Sequence, residues 1–186
     1  MSFNITKTKQ KRVVIVGGGF GGLKLANELH QSGFQIILVD KNNHHQFPPL
    51  IYQVASAGLE PSSISFPFRK LFNRHQDIHF RLAEAKQIYP DRKILQTSIG
   101  NIDYDYLVLA AGTTSNFFGN KQIEEAAMPM KTLSEAMGLR NALLSNLERS
   151  ITCDTTQERR ELLNVVIVGG GATGCLLYTS DAADEL

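Results

Sequence analysis

The sequence has little that would mark a secreted or membrane-spanning protein. Its 186 residues include two cysteines, Cys153 and Cys175, which are too far apart for a CxxC motif and too few for a disulfide framework. No apolar run approaches the roughly 20 residues that span a bilayer. The first residues, MSFNITKTKQKR, lack the apolar segment of a secretory signal. These absences predict a reducing, cytoplasmic setting.

An excess of charge of one sign is also missing. The net charge is +1, which gives no reason to expect nucleic-acid binding. The basic residues ahead of the first apolar run could touch an acidic membrane surface, but their position favours a solvated tail. They are Lys7, Lys9, Lys11 and Arg12. The length suffices for one well-cored domain, or for one domain and the start of another.

Residues 12–40 have the pattern of a βαβ unit. RVVIV predicts a strand buried on both faces, GGGFGG predicts a tight turn, and apolar residues then recur at helical spacing as far as Gly33. FQIILVD predicts a second buried strand that ends at Asp40. A strand, a helix and a strand within about 30 residues imply parallel strands with a right-handed crossover.

The turn satisfies the pattern G-x-G-x-x-G, and each glycine has a mechanical reason. Gly17 allows the tight turn, Gly19 lets the backbone approach a pyrophosphate, and Gly22 lets helix and strand pack closely. The phosphate would sit on N–H groups at the positive end of the helix dipole. Asp40 would accept hydrogen bonds from ribose hydroxyls and repel a 2′-phosphate, which favours FAD or NAD.

The stretch from 41 to 76 is long, irregular and rich in aromatic residues, proline and histidine. A loop of this length is usually functional or carries its own helices, and we expect short helices near 50–57 and 64–73. His44 and His45 are adjacent, so their side chains diverge, and we expect no metal site there. No Ser-His-Asp or Cys-His arrangement supports covalent catalysis.

Several strands are predicted after this stretch. They are IHFRLAEA (78–85), KILQTSI, NIDYDY and YDYLVLAAG (104–112), separated by turn-forming residues. The last segment, which ends at Gly112, fits an ordinary central strand. It fits equally a strand end that turns its backbone toward a bound flavin.

The C-terminal third contains a predicted helix over 131–151. Thr132 and Glu135 form a capping box for it. Its predicted inward stripe consists of Leu133, Met137, Leu143, Leu144, Leu147 and Ile151. TCDTTQERREL (152–162) reads as an exposed connection.

A second copy of the first motif follows. VVIVGGGATG at 165–174 repeats VVIVGGGFGG at 13–22 almost letter for letter, with glycines at Gly169, Gly171 and Gly174. Two such motifs imply two dinucleotides and electron transfer between them. No confirming helix or acid is expected after the second turn. A lone strand cannot make a parallel sheet, so each apolar residue of 165–168 would forgo about 1.5–3 kcal/mol of burial.

Six segments, in this order and spacing, resemble the type II (non-proton-pumping) NADH dehydrogenases, which belong to the two-dinucleotide flavoprotein reductases. They are VVIVGGGFGG, VDKNNHHQFPPLIYQVASAGL, FPFRKLF, YDYLVLAAG, MKTLSEA and VVIVGGGATG. The resemblance implies an α/β fold. A Rossmann-like FAD-binding domain with a parallel sheet and a small β-meander would be followed by the truncated start of a second Rossmann-like domain, for NADH.

The function implied by the resemblance is that of a peripheral membrane enzyme. It would pass a hydride from NADH to FAD and electrons on to a membrane quinone, at the inner face of the cell membrane. Membrane binding would use a C-terminal region beyond this sequence, and a homodimer is one arrangement that the resemblance allows. Because hydride transfer needs little beyond stacking the nicotinamide on the flavin, no catalytic side chain is expected.

The resemblance also assigns binding residues. The FAD pyrophosphate would be held by Gly17, Gly19, Phe20, Gly21 and Gly22. Asp40 and Lys41 would hold the adenosine ribose, and Ala85, at the end of its strand, would meet the adenine through its backbone. The loop from His45 to Gln53 would wrap the flavin, and Ala111 and Gly112 would close over it. Gly169, Gly171 and Gly174 would begin the NADH site.

The predicted domains are the N-terminal part of an FAD-binding domain (11–120), a helical connection (121–162), and the first strand and glycine turn of an NADH-binding domain (163–174). The final segment, 175–186, departs from the family. A DNA string that would encode CLLYTSDAADE resembles the transposase adapter of sequencing libraries, so we expect this segment to be a non-native tail. The chain alone is expected to bind FAD weakly at best and to lack quinone reductase activity.

Two alternatives stay open on the sequence. One is a sulfide:quinone or ferredoxin-type FAD-dependent reductase, although the former needs redox cysteines and Cys153 in a polar connector supports it poorly. The other is a non-catalytic dinucleotide-binding redox sensor. A missing quinone site or an appended regulatory domain in the full-length gene would favour the sensor.

Overall fold

The fold is α/β, and a computed structural model describes residues 3–182. Within these residues the strands are β1 (Arg12–Val16), β2 (Gln35–Asp40), β3 (His44–Gln46), β4 (Ser65–Pro67), β5 (Ile78–Leu82), β6 (Ala85–Tyr89), β7 (Ile94–Thr97), β8 (Gly100–Asp103) and β9 (Tyr106–Leu109). The α-helices are α1 (Phe20–Glu28), α2 (Ile51–Ala55), α3 (Phe68–Leu71), α4 (Lys121–Ala126), α5 (Leu133–Ile151), α6 (Thr156–Leu163) and α7 (Ala172–Ala182). Three short 3₁₀ turns, at 48–50, 61–63 and 90–92, complete these elements.

The chain divides into two compact units. The first contains residues 1–45 and 66–113, and the second contains residues 46–65 and 114–186. The first unit is built on a four-stranded parallel sheet in the order β5-β2-β1-β9. An antiparallel meander of β6, β7 and β8 belongs to the same unit. The predicted parallel sheet and small meander are therefore confirmed.

The two central strands are buried on both faces, as predicted for RVVIV and FQIILVD. Val14 and Ile37 point to a cluster that includes Leu95 and Ile102 of the meander. Ile15 and Leu38, one position along, point to a cluster on the opposite face. This second cluster contains Ala26 of α1, together with Phe68, Phe72 and Phe80. Because side chains alternate along a strand, two apolar layers require the continuous apolar runs seen in the sequence.

The N-terminal segment is partly packed into the first unit: the prediction of a solvated tail is wrong for Arg12, whereas Lys7, Lys9 and Lys11 are exposed as predicted. Phe3 is buried in the cluster beneath the meander, and Arg12 is 2% exposed. The Arg12 guanidinium donates to Gln35 and to Asp103, while Lys7 forms an ion pair with the other oxygen of Asp103. A guanidinium that finds an acceptor for its donors can be buried, which a charge count alone does not reveal.

The strand predicted over 78–85 is in fact two segments. β5 ends at Leu82, and Ala85 begins β6, where it lies opposite Thr97 across a register shift. β9 is an edge strand of the four-stranded sheet, with Tyr106 and Leu109 about half exposed or more. The suggestion of an ordinary central strand is thus incorrect for the described residues.

The second unit is helical, and α5 is its longest element. The predicted capping box is confirmed, because Thr132 accepts from the Glu135 N–H and Glu135 accepts from the Thr132 N–H. The packed side of α5 carries Leu133, Ala136 and Leu139, which contact α2 and Ile64. Much of the predicted stripe is wrong, because several of its members are exposed: Met137, Leu144, Leu147 and Ile151.

Two segments of the C-terminal third add to or correct the sequence-based prediction. The segment 152–162 is largely exposed, as predicted, and contains α6, which has a capping box of its own between Thr155 and Glu158. A helix, α7, does follow the second glycine turn and runs into the segment expected to be a non-native tail. Residues 183–186 of that segment lie outside the described residues. The apolar residues 165–168 pair with no strand within the described part of the chain.

Candidate functional site

The first glycine turn lies at the carboxyl ends of β1 and β2, where α/β sheets bind their ligands. The Gly17 N–H donates to the Val39 carbonyl at 2.8 Å. Asp40, the last residue of β2, follows directly. On the other side of β1, the Ala110 N–H donates to the Val16 carbonyl, also at 2.8 Å. The turn is therefore held between two neighbouring strand ends.

At three positions of the turn, neighbouring protein atoms leave no space for a side chain larger than that of glycine. Gly17 has a φ of +100°, and a methyl group there would overlap the Ala110 carbonyl. A methyl group at Gly22 would overlap the Gly17 carbonyl oxygen, and one at Gly18 would enter the ring of Phe68. These contacts agree with the tight turn and the close helix packing that the sequence predicted for Gly17 and Gly22.

Gly19 and Gly21 differ because, apart from adjacent residues and the helix's own backbone, no described atom lies within 4 Å of a methyl group added at either position. Packing among the described residues therefore does not account for glycine at these two positions. Gly19 is the N-cap of α1, no described side chain caps the helix, and its first turn contains no acid. The first N–H groups of a helix have no partner within it and favour anions. The open space and these donors together fit a diphosphate.

The Asp40 carboxylate reaches the turn directly. Its Oδ2 accepts from the Gly18 N–H at 2.5 Å, and its Oδ1 accepts from the Asn42 N–H at 2.7 Å. A carboxylate has about four acceptor positions, so two backbone donors leave capacity for sugar hydroxyls. Lys41, the next residue, is exposed. The side chain predicted to bind ribose is thus next to the turn predicted to bind phosphate.

His45 lies beneath the turn rather than in open solvent. It is 7% exposed, and its Nδ1 is 2.9 Å from the Gly18 carbonyl oxygen. Its ring lies 5.6 Å from the ring of Phe20, the half-exposed first residue of α1. The predicted flavin loop continues from 46 to 53, in the other unit. There Gln46 accepts from the Leu133 N–H, and Ile51 is buried.

Three further residues of the first unit were predicted to contact FAD: Ala85, Ala111 and Gly112. Gly112 has a φ of +72°, which favours glycine, and it follows Ala111 just after β9. The Ala110 carbonyl in this same segment contacts Gly17. Ala85 begins β6 and does not end the strand predicted over 78–85, and the Asp40 carbonyl accepts from the Ala83 N–H at 2.9 Å. The structure therefore places Ala83, a residue absent from the sequence-based assignment, next to Asp40.

The second glycine motif repeats the local geometry of the first. Gly169 has a φ of +112°, and a methyl group at Gly174 would lie 3.1 Å from the Gly169 carbonyl oxygen. The same methyl would lie 3.3 Å from Ile167 Cγ2, which matches the 3.3 Å from Gly22 to Ile15 Cγ2. The Cys175 N–H donates to the Gly171 carbonyl as α7 begins. The turn is thus formed without a paired strand before it.

The second unit also contains a cavity of about 400 Å³ that sequence reasoning missed. Its lining includes Pro48, Ile51, Met130 and Lys131, the segment 114–116, and Thr173 of the second glycine motif. The one signal in the sequence was the polar run TTSN directly after Gly112. Because its lining is dispersed along the chain, no local pattern could have predicted this cavity.

Two kinds of feature are absent from the described residues. In residues 3–182 no group of three or more His, Cys, Asp or Glu side chains is arranged to hold a metal ion. None of the helices in that range is both long and apolar enough to cross a bilayer.

Comparison with known proteins shows a family and several relatives for this chain. The family model of the pyridine nucleotide-disulphide oxidoreductases matches residues 11–179. The type II NADH:quinone oxidoreductase Ndh of Mycobacterium tuberculosis is 33% identical over 170 residues, which cover 89% of this chain. The external alternative NAD(P)H-ubiquinone oxidoreductase B2 of Arabidopsis thaliana is 30% identical over 181 residues, which cover 91% of the chain.

Solved structures share the fold. NDH2 from Plasmodium falciparum, in complex with NADH, matches with a TM-score of 0.86 at 23% identity over 94% of this chain. The sulfide:quinone oxidoreductase of Aquifex aeolicus matches with a TM-score of 0.68 at 30% identity over 74% of the chain. In the other direction, the chain spans 37% of the Mycobacterium relative and 31% of the Arabidopsis relative.

Proposed function

The chain belongs to the pyridine nucleotide-disulphide oxidoreductase family, and on that basis we propose that its parent protein is an FAD-dependent NADH:quinone oxidoreductase. The first unit holds FAD and the second glycine motif begins the NADH site. The parent protein acts at the inner face of the cell membrane, with homodimerisation as part of the same proposal. The chain on its own lacks quinone reductase activity.

The observation that best supports the proposal is the position of Gly18. Its N–H donates to the Asp40 carboxylate, and it directly precedes Gly19, the N-cap of α1. A dinucleotide needs a diphosphate site and a ribose site next to each other, which is this arrangement. The named relatives that match across about nine-tenths of the chain are NADH or NAD(P)H oxidoreductases that use a quinone, which supports the choice of reaction.

Each residue of the site then has a role in binding rather than in chemistry. N–H groups at the start of α1 hold the diphosphate of FAD, and Asp40 accepts from the adenosine ribose. Gly112 gives the chain after β9 the positive φ needed to turn beside the ligand. Bound FAD supplies the chemistry, which is acceptance of a hydride from NADH. The protein contributes orientation and exclusion of water.

The sulfide:quinone alternative has support from the fold alone. The Aquifex structure matches well, but a sulfide-oxidising site needs redox-active cysteines. Cys153 and Cys175 are free in this structure, and Cys153 lies at the end of α5 with its thiol on the Arg149 carbonyl. Neither cysteine belongs to the glycine turn or to the cavity lining, so the cysteines of this chain give the sulfide:quinone reaction no support.

The test uses the full-length protein encoded by the source gene together with the present chain. We expect the purified full-length protein to carry FAD and to oxidise NADH when a soluble quinone is supplied. The present chain should raise the fluorescence polarisation of added FAD without oxidising NADH. A full-length protein that is colourless and indifferent to added flavin would refute the proposal. A flavoprotein that oxidises sulfide instead of NADH would support the sulfide:quinone alternative.

A further inference from the structure

We propose that His45 is a positioning residue that aims the Gly19 N–H at the bound diphosphate, without contacting the ligand itself. This inference rests on the proposed function, because it assumes that the turn binds a diphosphate. It concerns a residue that the sequence assigned to a loop around the flavin ring. In the structure its side chain lies beneath the glycine turn.

The hydrogen bond to Gly18 requires a proton on one particular nitrogen of the His45 ring. A carbonyl oxygen can only accept, so Nδ1, at 2.9 Å from the Gly18 oxygen, must carry the proton. The side chain is 7% exposed, and water therefore competes little for this carbonyl. Without the His45 donor, the buried Gly18 carbonyl would have lost this hydrogen bond, which costs free energy. The peptide between Gly18 and Gly19 would rotate to find another donor.

The direction of this carbonyl decides the direction of the next N–H. The peptide between Gly18 and Gly19 is trans, since the described residues contain no cis bond. In a trans peptide the C=O and the N–H point in opposite directions. With the Gly18 carbonyl held on His45, the Gly19 N–H must point away from His45. A Cβ added at Gly19 would also lie in open space, so a ligand has room to approach this residue.

The preceding peptide, between Gly17 and Gly18, is also held by a hydrogen bond to a side chain. The Gly18 N–H donates to Asp40 Oδ2 at 2.5 Å. Asp40 therefore fixes the peptide between Gly17 and Gly18, and His45 fixes the peptide between Gly18 and Gly19. Glycines are the most freely rotating residues, so a turn of three in succession needs such restraints to present one conformation. Asp40 then has two functions, whereas His45 has only the positioning one.

The experiment compares ADP with adenosine as probes of the 186-residue chain, by chemical-shift titration of its ¹⁵N-labelled amides. His45→Phe keeps a ring but loses the donor, and we expect ADP to bind about three- to tenfold more weakly. Adenosine, which lacks the diphosphate, should bind as it does to the wild type. His45→Asn keeps a donor near the Nδ1 position and should restore most of the ADP affinity. His44→Phe is the matched control, since His44 contacts Asn43 rather than the turn.

The outcomes separate this inference from the proposed function. If His45→Phe binds ADP as tightly as the wild type, or loses ADP and adenosine equally, the positioning role is wrong while the dinucleotide site stands. A wild-type chain whose amides respond to neither ADP nor FAD would overturn both. If a variant fails to fold, a measurement on the wild type alone still tests the inference. The ¹⁵N spectrum must show the proton of His45 on Nδ1, and a proton on Nε2 alone would disprove the donor role.

Discussion

Gly22 lies so close to the carbonyl oxygen of Gly17 that position 22 of α1 has no space for a methyl group. This contact joins the first and last glycines of the motif and sets the distance between the helix and β1. It is a requirement of packing and would apply without any ligand. Gly21, one residue earlier, has no such neighbour.

Gly22→Ala should therefore destabilise the chain by about 1–3 kcal/mol, because the helix must move away from the strand to relieve the overlap. Gly21→Ala is the control, and it should leave the fold intact or stabilise it by up to about 1 kcal/mol, since alanine is the better helix former. Urea unfolding followed by circular dichroism measures both. Equal effects of the two substitutions would mean that the contact between Gly22 and Gly17 is not restrictive.

The duplicated motif provides an internal comparison of burial. Val14 and Val166 occupy the same position in the two copies, but Val14 is completely buried while Val166 is 76% exposed. Val14→Thr places a hydroxyl in an apolar layer and should cost about 1–3 kcal/mol. Val166→Thr should change the free energy of unfolding by less than about 0.5 kcal/mol. A large loss from Val166→Thr would show that residues 165–168 are packed in solution.

Asp103 bridges two cations of very different burial, which predicts unequal effects of removing them. Arg12 is almost fully buried and also donates to Gln35 at 2.8 Å, whereas the Lys7 side chain is 53% exposed. Arg12→Met should destabilise the chain by about 1–3 kcal/mol, because Gln35 loses its donor in a buried place. Lys7→Met should cost less than about 1 kcal/mol, as is usual for surface ion pairs. Thermal unfolding of the two variants gives the comparison.

The lowered pKa of Asp77 predicts that the free energy of unfolding decreases as the pH becomes acidic. Burial raises the pKa of this carboxyl group, but hydrogen bonds from the Gln31 N–H and the His30 ring outweigh burial, so its pKa is lowered. A lowered pKa means that the stabilisation is present above the unfolded-state value of about 3.9 and is lost as the pH falls through the folded-state value. Asp77→Asn should be less stable than the wild type at neutral pH. The two urea midpoints should converge at acid pH, and a constant difference would contradict this account.

Asp40 should select against a 2′-phosphate through its charge. The wild-type chain should bind ADP about tenfold more tightly than 2′-phosphorylated ADP at low salt, because like charges repel. Asp40→Asn removes the charge but keeps an oxygen that can accept from the Gly18 N–H, so the turn should persist while the preference shrinks. Amide titrations measure both ligands. An unchanged preference in Asp40→Asn would place the ribose away from this side chain.

The parallel sheet, the turn and the Asp40 position were predictable because each has a local signature. β1 and β2 are short continuous apolar runs, and the G-x-G-x-x-G pattern connects the first run to a helix. The capping box of α6, Thr155 with Glu158, was equally visible as a pattern. Its charged composition concealed it, since a helix without an apolar face resembles a connection.

What the sequence could not determine depends on contacts between distant residues. The apolar stripe of α5 predicts that one side of the helix is apolar, but not that Leu147 and Ile151 stay exposed while Ala136 is buried. The hydrogen bond from His45 to Gly18 joins positions separated by 27 residues, and no periodicity predicts it. Burial of Arg12 likewise depends on Gln35 and Asp103, which are remote in the chain.

The strand hydrogen bonds continue one residue beyond the strands themselves. Gly17 donates to Val39, Ala83 to Asp40 and Ala110 to Val16, each at 2.8–2.9 Å. These hydrogen bonds restrain the backbone at the edge of the sheet before any ligand binds. The protein would therefore lose little conformational entropy when a nucleotide binds there. Amide hydrogens at Gly17, Ala83 and Ala110 should exchange with deuterium as slowly as those inside the sheet, so the rim and the core would open as one cooperative unit.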